Sequence, residues 1–197
     1  LIDFQNGYAF KSTNWKDSGI PVVKIGSVKP GIVDLSNVSY VDEDIAKSCE
    51  EFRLSSGDIL IGMTGYVGEV GLVPKVNIAP LLNQRVGKLV PTNTHYKSFI
   101  FCLARSTAFR KKVEELSSGS AQANVSATNI CSIQLVKPVE KVLEAFASII
   151  DNHLESYLTI HKESEILSSL RDLMLPKLIS GDLGIVEAEK IIDEAGI

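Results

Sequence analysis

The chain has 197 residues, 45% of them hydrophobic, with 20 Lys+Arg against 24 Asp+Glu for a net charge of −4. That length buries one good core and a second small element, and no run approaches the ~18 apolar residues of a membrane span, so a soluble, cytoplasmic protein without a membrane partner is expected. Cys49, Cys102 and Cys131 are far apart and lack C-x-x-C spacing; this argues against a disulfide framework or a zinc ribbon and predicts free, buried thiols.

Taken in chain order, the first 138 residues read as mixed α/β with many short strands. PVVKIGSV (21 to 28) is rich in β-branched residues and bounded by Gly19 and Pro30-Gly31, which predicts a strand followed by a turn. Asp42 is placed to cap a short helix, DEDIAKSC, whose first turn carries Glu43 and Asp44 where the helix dipole favours them. In RLSSGDILIGMTGYVGEVGLVPK, a Ser56-Gly57-Asp58 turn precedes two strands, DILIGM and GEVGLV, that form a hairpin. Gly62, Gly65, Gly68 and Gly71 recur there every third residue. No Gly-Lys-Ser/Thr follows and no G-x-G-x-x-G opens a helix, so turns, bulges or close backbone approach explain them better than a phosphate cradle.

VGKLVP (86 to 91) is another strand. Thr94 is placed to cap a helix running to about Leu116, with Phe99, Leu103, Phe109, Val113 and Leu116 near its apolar face and Lys97, Arg105 and Lys112 on another. SSGSAQAN (117 to 124) is a loop of small polar residues, ICSIQLV (130 to 136) is expected to return to the sheet, and Lys137-Pro138 closes the domain.

From Val139 to Ile179 only Pro176 interrupts a helical pattern. Phe146, Ile150, His153, Tyr157, Ile160, Ser164, Leu167, Arg171, Met174 and Leu178 step alternately by four and three, which is a coiled-coil seam with polar interruptions at His153, Ser164 and Arg171. Such a helix is roughly 60 Å long and needs a partner helix of matching length, which this chain does not contain. Phe146, Ile150, Tyr157, Ile160, Leu167 and Met174 are therefore the expected dimerisation residues. The resulting division is 1–138 for a binding head, 139–179 for the helix and 180–197 for a tail.

Charge divides at the same place. Residues 1–138 hold 15 Lys+Arg against 12 Asp+Glu and residues 139–197 hold 5 against 12, so a mildly basic head sits on an acidic rod. No catalytic or metal site is expected. His95 stands alone at a helix start, His161 and Glu165 have i, i+4 spacing without H-E-x-x-H, and methyltransferase and nuclease motifs are missing. Residues suited to reading base edges do concentrate in loops: Gln84 and Arg85 after Asn83, Gln122 and Asn124 in the small-residue loop, and Ser27, Lys29, Thr64 and Tyr66 at strand ends. Arg pairs with guanine and Asn or Gln with adenine through two hydrogen bonds, so Arg85, Gln84, Gln122 and Asn124 are the expected base contacts. Lys11, Lys24 and Lys29 are the expected phosphate contacts.

GYAFKSTNW, GIPVVKIGSV, GDILIGMTGYVGEVGLV, LNQRVGKLVP, GSAQANVSATNI and LRDLMLPKLISGDL follow one another in an order that resembles the specificity subunits of type I restriction-modification enzymes, over nearly the whole chain. The resemblance implies a prokaryotic DNA-binding subunit without its own catalytic site, in which a target-recognition domain contacts a few base pairs of double-stranded DNA and a helical spacer sets the distance to a second such domain. It also implies methylation and restriction subunits as partners, with S-adenosylmethionine and ATP used only by them. Full-length members of the family carry two recognition domains and two spacer helices packed antiparallel. This chain carries one of each, and it starts at Leu1 inside the opening motif. The expected fold is α+β, a mixed α/β head followed by a long helix that pairs as an antiparallel coiled coil in a homodimer. The competing reading from composition is a coiled-coil adaptor whose head binds a protein partner.

Overall fold

Eight short strands carry the head in the computed structural model, which describes residues 1–117 and 123–194. They are β1 (Ile2–Asn6), β2 (Ile20–Val23), β3 (Gly31–Ile32), β4 (Ser39–Val41), β5 (Ile59–Gly62), β6 (Val70–Leu72), β7 (Leu81–Leu82) and β8 (Val86–Pro91). Five form one sheet in the order β1-β8-β5-β6-β3 and three form a second in the order β4-β2-β7. The DILIGM and GEVGLV segments pair antiparallel, with Ile59 opposite Leu72 and Ile61 opposite Val70. In β2 the period-two alternation of strand side chains is visible directly. Val22 packs with Leu81, Val41 and Phe10, whereas its neighbour Val23 packs with Leu82, Leu60 and Val86. The smaller sheet is thus buried on both faces.

Six α-helices complete the described residues: α1 (Glu43–Ser48), α2 (Lys97–Ala104), α3 (Thr107–Leu116), α4 (Ala127–Cys131), α5 (Glu140–Ser180) and α6 (Ile185–Glu194). The Asp42 side chain accepts from the Ile45 N–H and caps α1, as its position predicts. The chain divides into two compact units, Leu1–Ser156 and Tyr157–Ile197. In the first, α5 buries Leu143 and Ala147, stacks Phe146 edge-on against Phe99 of α2 at 6.3 Å, and ties Glu155 to Lys75. In the second, Leu158, Met174 and Ala188 are buried. No described helix is long and apolar enough to cross a membrane.

Several sequence expectations are corrected. The PVVKIGSV strand ends at Val23, because residues 25–27 turn into a 3-10 helix. The helix expected from Thr94 to Leu116 is two helices: the Asn93 side chain accepts from the His95 N–H to start the first turn, and Ser106 caps α3 through the Phe109 N–H, which breaks the run at Arg105. That break also places Lys97 and Lys112 on different helices. ICSIQLV does not return to the sheet. Ser126 caps α4 by accepting from the Asn129 N–H, and the chain then runs without regular structure to α5. Pro176 sits inside α5 without ending it, and the 180–197 tail contains α6. Cys49 is buried, but Cys102 and Cys131 are exposed.

Candidate nucleic-acid interface

Strand directions bring the polar loops to one end of both sheets. β5 runs antiparallel to β6 and β8, so the end of β5 lies beside the starts of the other two. β3 is parallel to β6, which puts Lys29 and Pro30 at that end as well. β2 is parallel to β7, and the Asn83 N–H donates to the Val23 carbonyl at 3.2 Å, so Lys24 emerges next to the Asn83-Gln84-Arg85 turn.

Backbone bonds then lock the loops to one another. Met63 N–H donates to Arg85 O at 3.1 Å, Val125 N–H to Met63 O at 2.9 Å, Gly65 N–H to Ala123 O at 3.0 Å, and Gln84 N–H to Tyr8 O at 2.9 Å. Thr64 Oγ1 donates to Asn124 Oδ1 at 2.9 Å. The glycine series builds this turn. Gly65 and Gly68 take φ of 74° and 77°, and a Cβ on Gly62 would stand 2.3 Å from the Tyr66 carbonyl oxygen. Of the readings offered for the glycines, turns and close approach are realised here. Tyr66 stands 62% exposed at the tip, with the Lys29 Nζ 5.9 Å from its ring centroid. Gln84 and Arg85 are exposed, and the Arg85 guanidinium has no hydrogen-bond or ion-pair partner among the described residues.

Of the expected DNA contacts, Lys29, Thr64, Tyr66, Gln84, Arg85 and Asn124 thus converge. Lys11 is exposed on a separate turn, where its N–H donates to Asn14 Oδ1. Ser27 is only 6% exposed, because the 3-10 turn folds it inward, its carbonyl accepting from the Asp34 N–H. Gln122 lies outside the described residues. Lys24 is held in place rather than free on the surface. Its Nζ donates to Ser39 Oγ at 2.6 Å and lies 3.7 Å from the Trp15 ring centroid, a cation–π contact of about 0.5 to 2 kcal/mol. Burial lowers its pKa below the ordinary lysine value. Sequence reading missed Trp15 and Ser39, since neither adjoins Lys24 in the chain.

Arg110 is a neutralised cation. Arg110 pairs with Glu114 at 3.0 Å and Glu69 at 3.2 Å, and its pKa is raised, chiefly by the hydrogen bond to Glu114. On α5, Tyr157, Ile160 and Leu167 are exposed by 40%, 62% and 45%, while Phe146 and Ile150 are half-buried. Met174, expected on the dimer seam, is buried within its own chain at 7% exposure. His161 lies 3.9 Å from Glu165, and no group of three or more metal-ligating side chains is found among the described residues.

A mixed α/β head whose loops gather guanidinium, amide, hydroxyl and aromatic groups is followed in the chain by a 41-residue helix. The chain belongs to the type I restriction modification DNA specificity domain family, whose model matches residues 1–168. It is 25% identical over 193 residues to the type I restriction enzyme MjaVIII specificity subunit of Methanocaldococcus jannaschii, covering 94% of this chain and 45% of that one. Against the HindI specificity subunit of Haemophilus influenzae, identity is 24% over 118 residues, 59% of this chain and 26% of the relative. The fold is similar to the crystal structure of a type I restriction-modification S subunit from M. genitalium, with a TM-score of 0.61 at 17% identity, covering 92% of this chain and 44% of that one. The chain therefore spans less than half the length of these relatives.

Proposed function

We propose that this chain is the DNA-reading half of a type I restriction-modification specificity unit. Its head reads one half-site of double-stranded DNA, and its helix pairs with that of a second copy and docks methylation and restriction subunits. The observation that carries this reading is the convergence of Arg85, Gln84, Asn124, Thr64, Tyr66 and Lys29 at one end of both sheets, within a chain of this family. Arg85, Gln84 and Asn124 supply the bidentate groups for base edges, and the lysines position the phosphate backbone. The chain has no chemistry of its own in this reading: methyl transfer from S-adenosylmethionine and ATP-driven cleavage belong to the partner subunits. Exposed Ile160 and Leu167, one heptad apart, supply the pairing face, and antiparallel pairing makes the two heads a symmetric reader of a split site.

The test is reconstitution with methylation subunits and sequencing of the methylated adenines. A split, palindromic site that disappears when Arg85, Gln84 and Asn124 are all replaced by Ala supports the reading. A reconstituted complex whose head binds only a protein, with no salt-dependent affinity for any duplex, overturns it in favour of a coiled-coil adaptor.

A further inference from the structure

We propose that Trp15, Lys24 and Ser39 form a preassembled seat for one backbone phosphate of duplex DNA, so that the head is registered on the helix before any base is read. The inference rests on the DNA-recognition reading and adds the ligand chemistry of one site. The Lys24 ammonium is fixed by two contacts of opposite kind: it donates to Ser39 Oγ at 2.6 Å and lies 3.7 Å from the Trp15 ring centroid. Its backbone is fixed too, because the Lys24 carbonyl accepts from the Ser27 N–H at 2.9 Å.

A partly buried cation normally carries an anion with it, since desolvating an uncompensated charge is costly. Lys88 and Arg53, whose side chains are 18% and 22% exposed, are paired with Asp58 at 2.7 Å and Glu50 at 2.6 Å. Lys24 has no carboxylate within ion-pair distance among the described residues, and burial alone accounts for its lowered pKa. The position is therefore built for a charge that arrives from outside. An ammonium has three N–H donors and Ser39 accepts one of them, which leaves donors for an anionic oxygen. Location selects the phosphodiester: Val23, the preceding residue, is bonded to Asn83, which starts the Gln84-Arg85 turn. A Cβ on Gly26, two residues beyond Lys24, would meet nothing within 4 Å, so the backbone just past Lys24 is uncovered. Trp15 and Ser39 set where the charge stands, which is what a positioning contact requires.

The experiment uses the full chain and mixed-sequence duplexes of about 30 base pairs at low salt, in two arms. In the first, Lys24→Gln is expected to weaken binding to unrelated duplexes equally and to flatten the slope of log affinity against log salt by about 0.9, the loss of one phosphate contact, while Lys24→Arg keeps the slope. An unchanged slope in Lys24→Gln, or a loss confined to one duplex sequence, overturns the seat. The second arm needs no variant: amine-reactive footprinting of the native chain is expected to show Lys24 protected by duplex DNA and unprotected by inorganic phosphate at matched ionic strength. Equal modification with and without saturating duplex overturns the proposal, and protection by inorganic phosphate alone reassigns the site to free anions. Failure of the native chain to bind any duplex, alone or with methylation subunits, is a failure of the functional reading itself and is read from the native chain separately.

Discussion

Arg85 and Ser27 show how little residue type says about availability until the backbone is placed. Both are polar groups near strand ends, yet Arg85 is exposed on a turn whose backbone is held by Met63, Asn83 and Val86, and Ser27 is folded inward by a 3-10 turn. Replacing Arg85 by Ala therefore removes a side chain that the fold does not use. Stability in denaturant should change by no more than about 0.5 kcal/mol. Discrimination at one base pair should fall by about 1 to 3 kcal/mol if the guanidinium reads guanine through two hydrogen bonds, which methylation-site sequencing of the reconstituted complex measures. Ser27→Ala should leave the recognised sequence unaltered, and a changed sequence there would place the reading face elsewhere. The candidate residues are chosen from their chemistry, because few groups fit base edges, and the fold brings six of them together. Their burial and partners were not legible in the sequence, since Lys24 meets Ser39 and Thr64 meets Asn124 only through pairings between distant segments.

Elements were legible where local signals agreed and illegible where one side chain overrode a pattern. The DILIGM–GEVGLV hairpin, the Asp42 cap and the long helix all follow from turn chemistry, capping and periodicity. The single helix expected from Thr94 to Leu116 did not form, because the apolar spacing continues across a site where the Ser106 hydroxyl starts a new helix. The glycine turn gives an element-scale test. Gly62→Ala brings a Cβ to 2.3 Å from the Tyr66 carbonyl oxygen, backbone that cannot step aside, whereas Gly87→Ala meets only the far edge of the Phe4 ring. Gly62→Ala should cost about 1 to 3 kcal/mol and disturb DNA binding through Tyr66, with Gly87→Ala the milder change by chemical denaturation. On α5 the expected seam and the buried face differ. Leu143 is fully buried in the head unit, so Leu143→Ala should destabilise that unit by about 2 to 5 kcal/mol. Ile160 is 62% exposed, so Ile160→Asp should leave thermal unfolding of the head unchanged and shift sedimentation from dimer to monomer. A dimer retained in Ile160→Asp would remove that face from the pairing surface.

For the whole molecule, charge and length set how the parts cooperate. A head of 15 Lys+Arg against 12 Asp+Glu, joined to a segment of 5 against 12, neutralises few phosphates. The isolated chain should therefore bind DNA weakly and with a shallow salt slope, and tight specific binding should require two heads and the methylation subunits. Nanomolar affinity of the chain alone in physiological salt would contradict this division. Geometry supplies the sharper test. In the proposed antiparallel pair, where each head precedes its own helix in the chain, the length of the paired helices would be the ruler between half-sites. Inserting one heptad into α5 keeps the seam in phase, because seven residues span two turns at the coiled-coil repeat. At 1.5 Å per residue it lengthens the rod by about 10 Å, close to three base pairs at 3.4 Å each. The inserted complex should remain a dimer, methylate the same half-site sequences and recognise a spacer about three base pairs longer, as read by sequencing of methylated adenines. A seven-residue insertion that preserves methylation with the original spacer would mean that the distance between heads is set by the partner subunits and not by this helix.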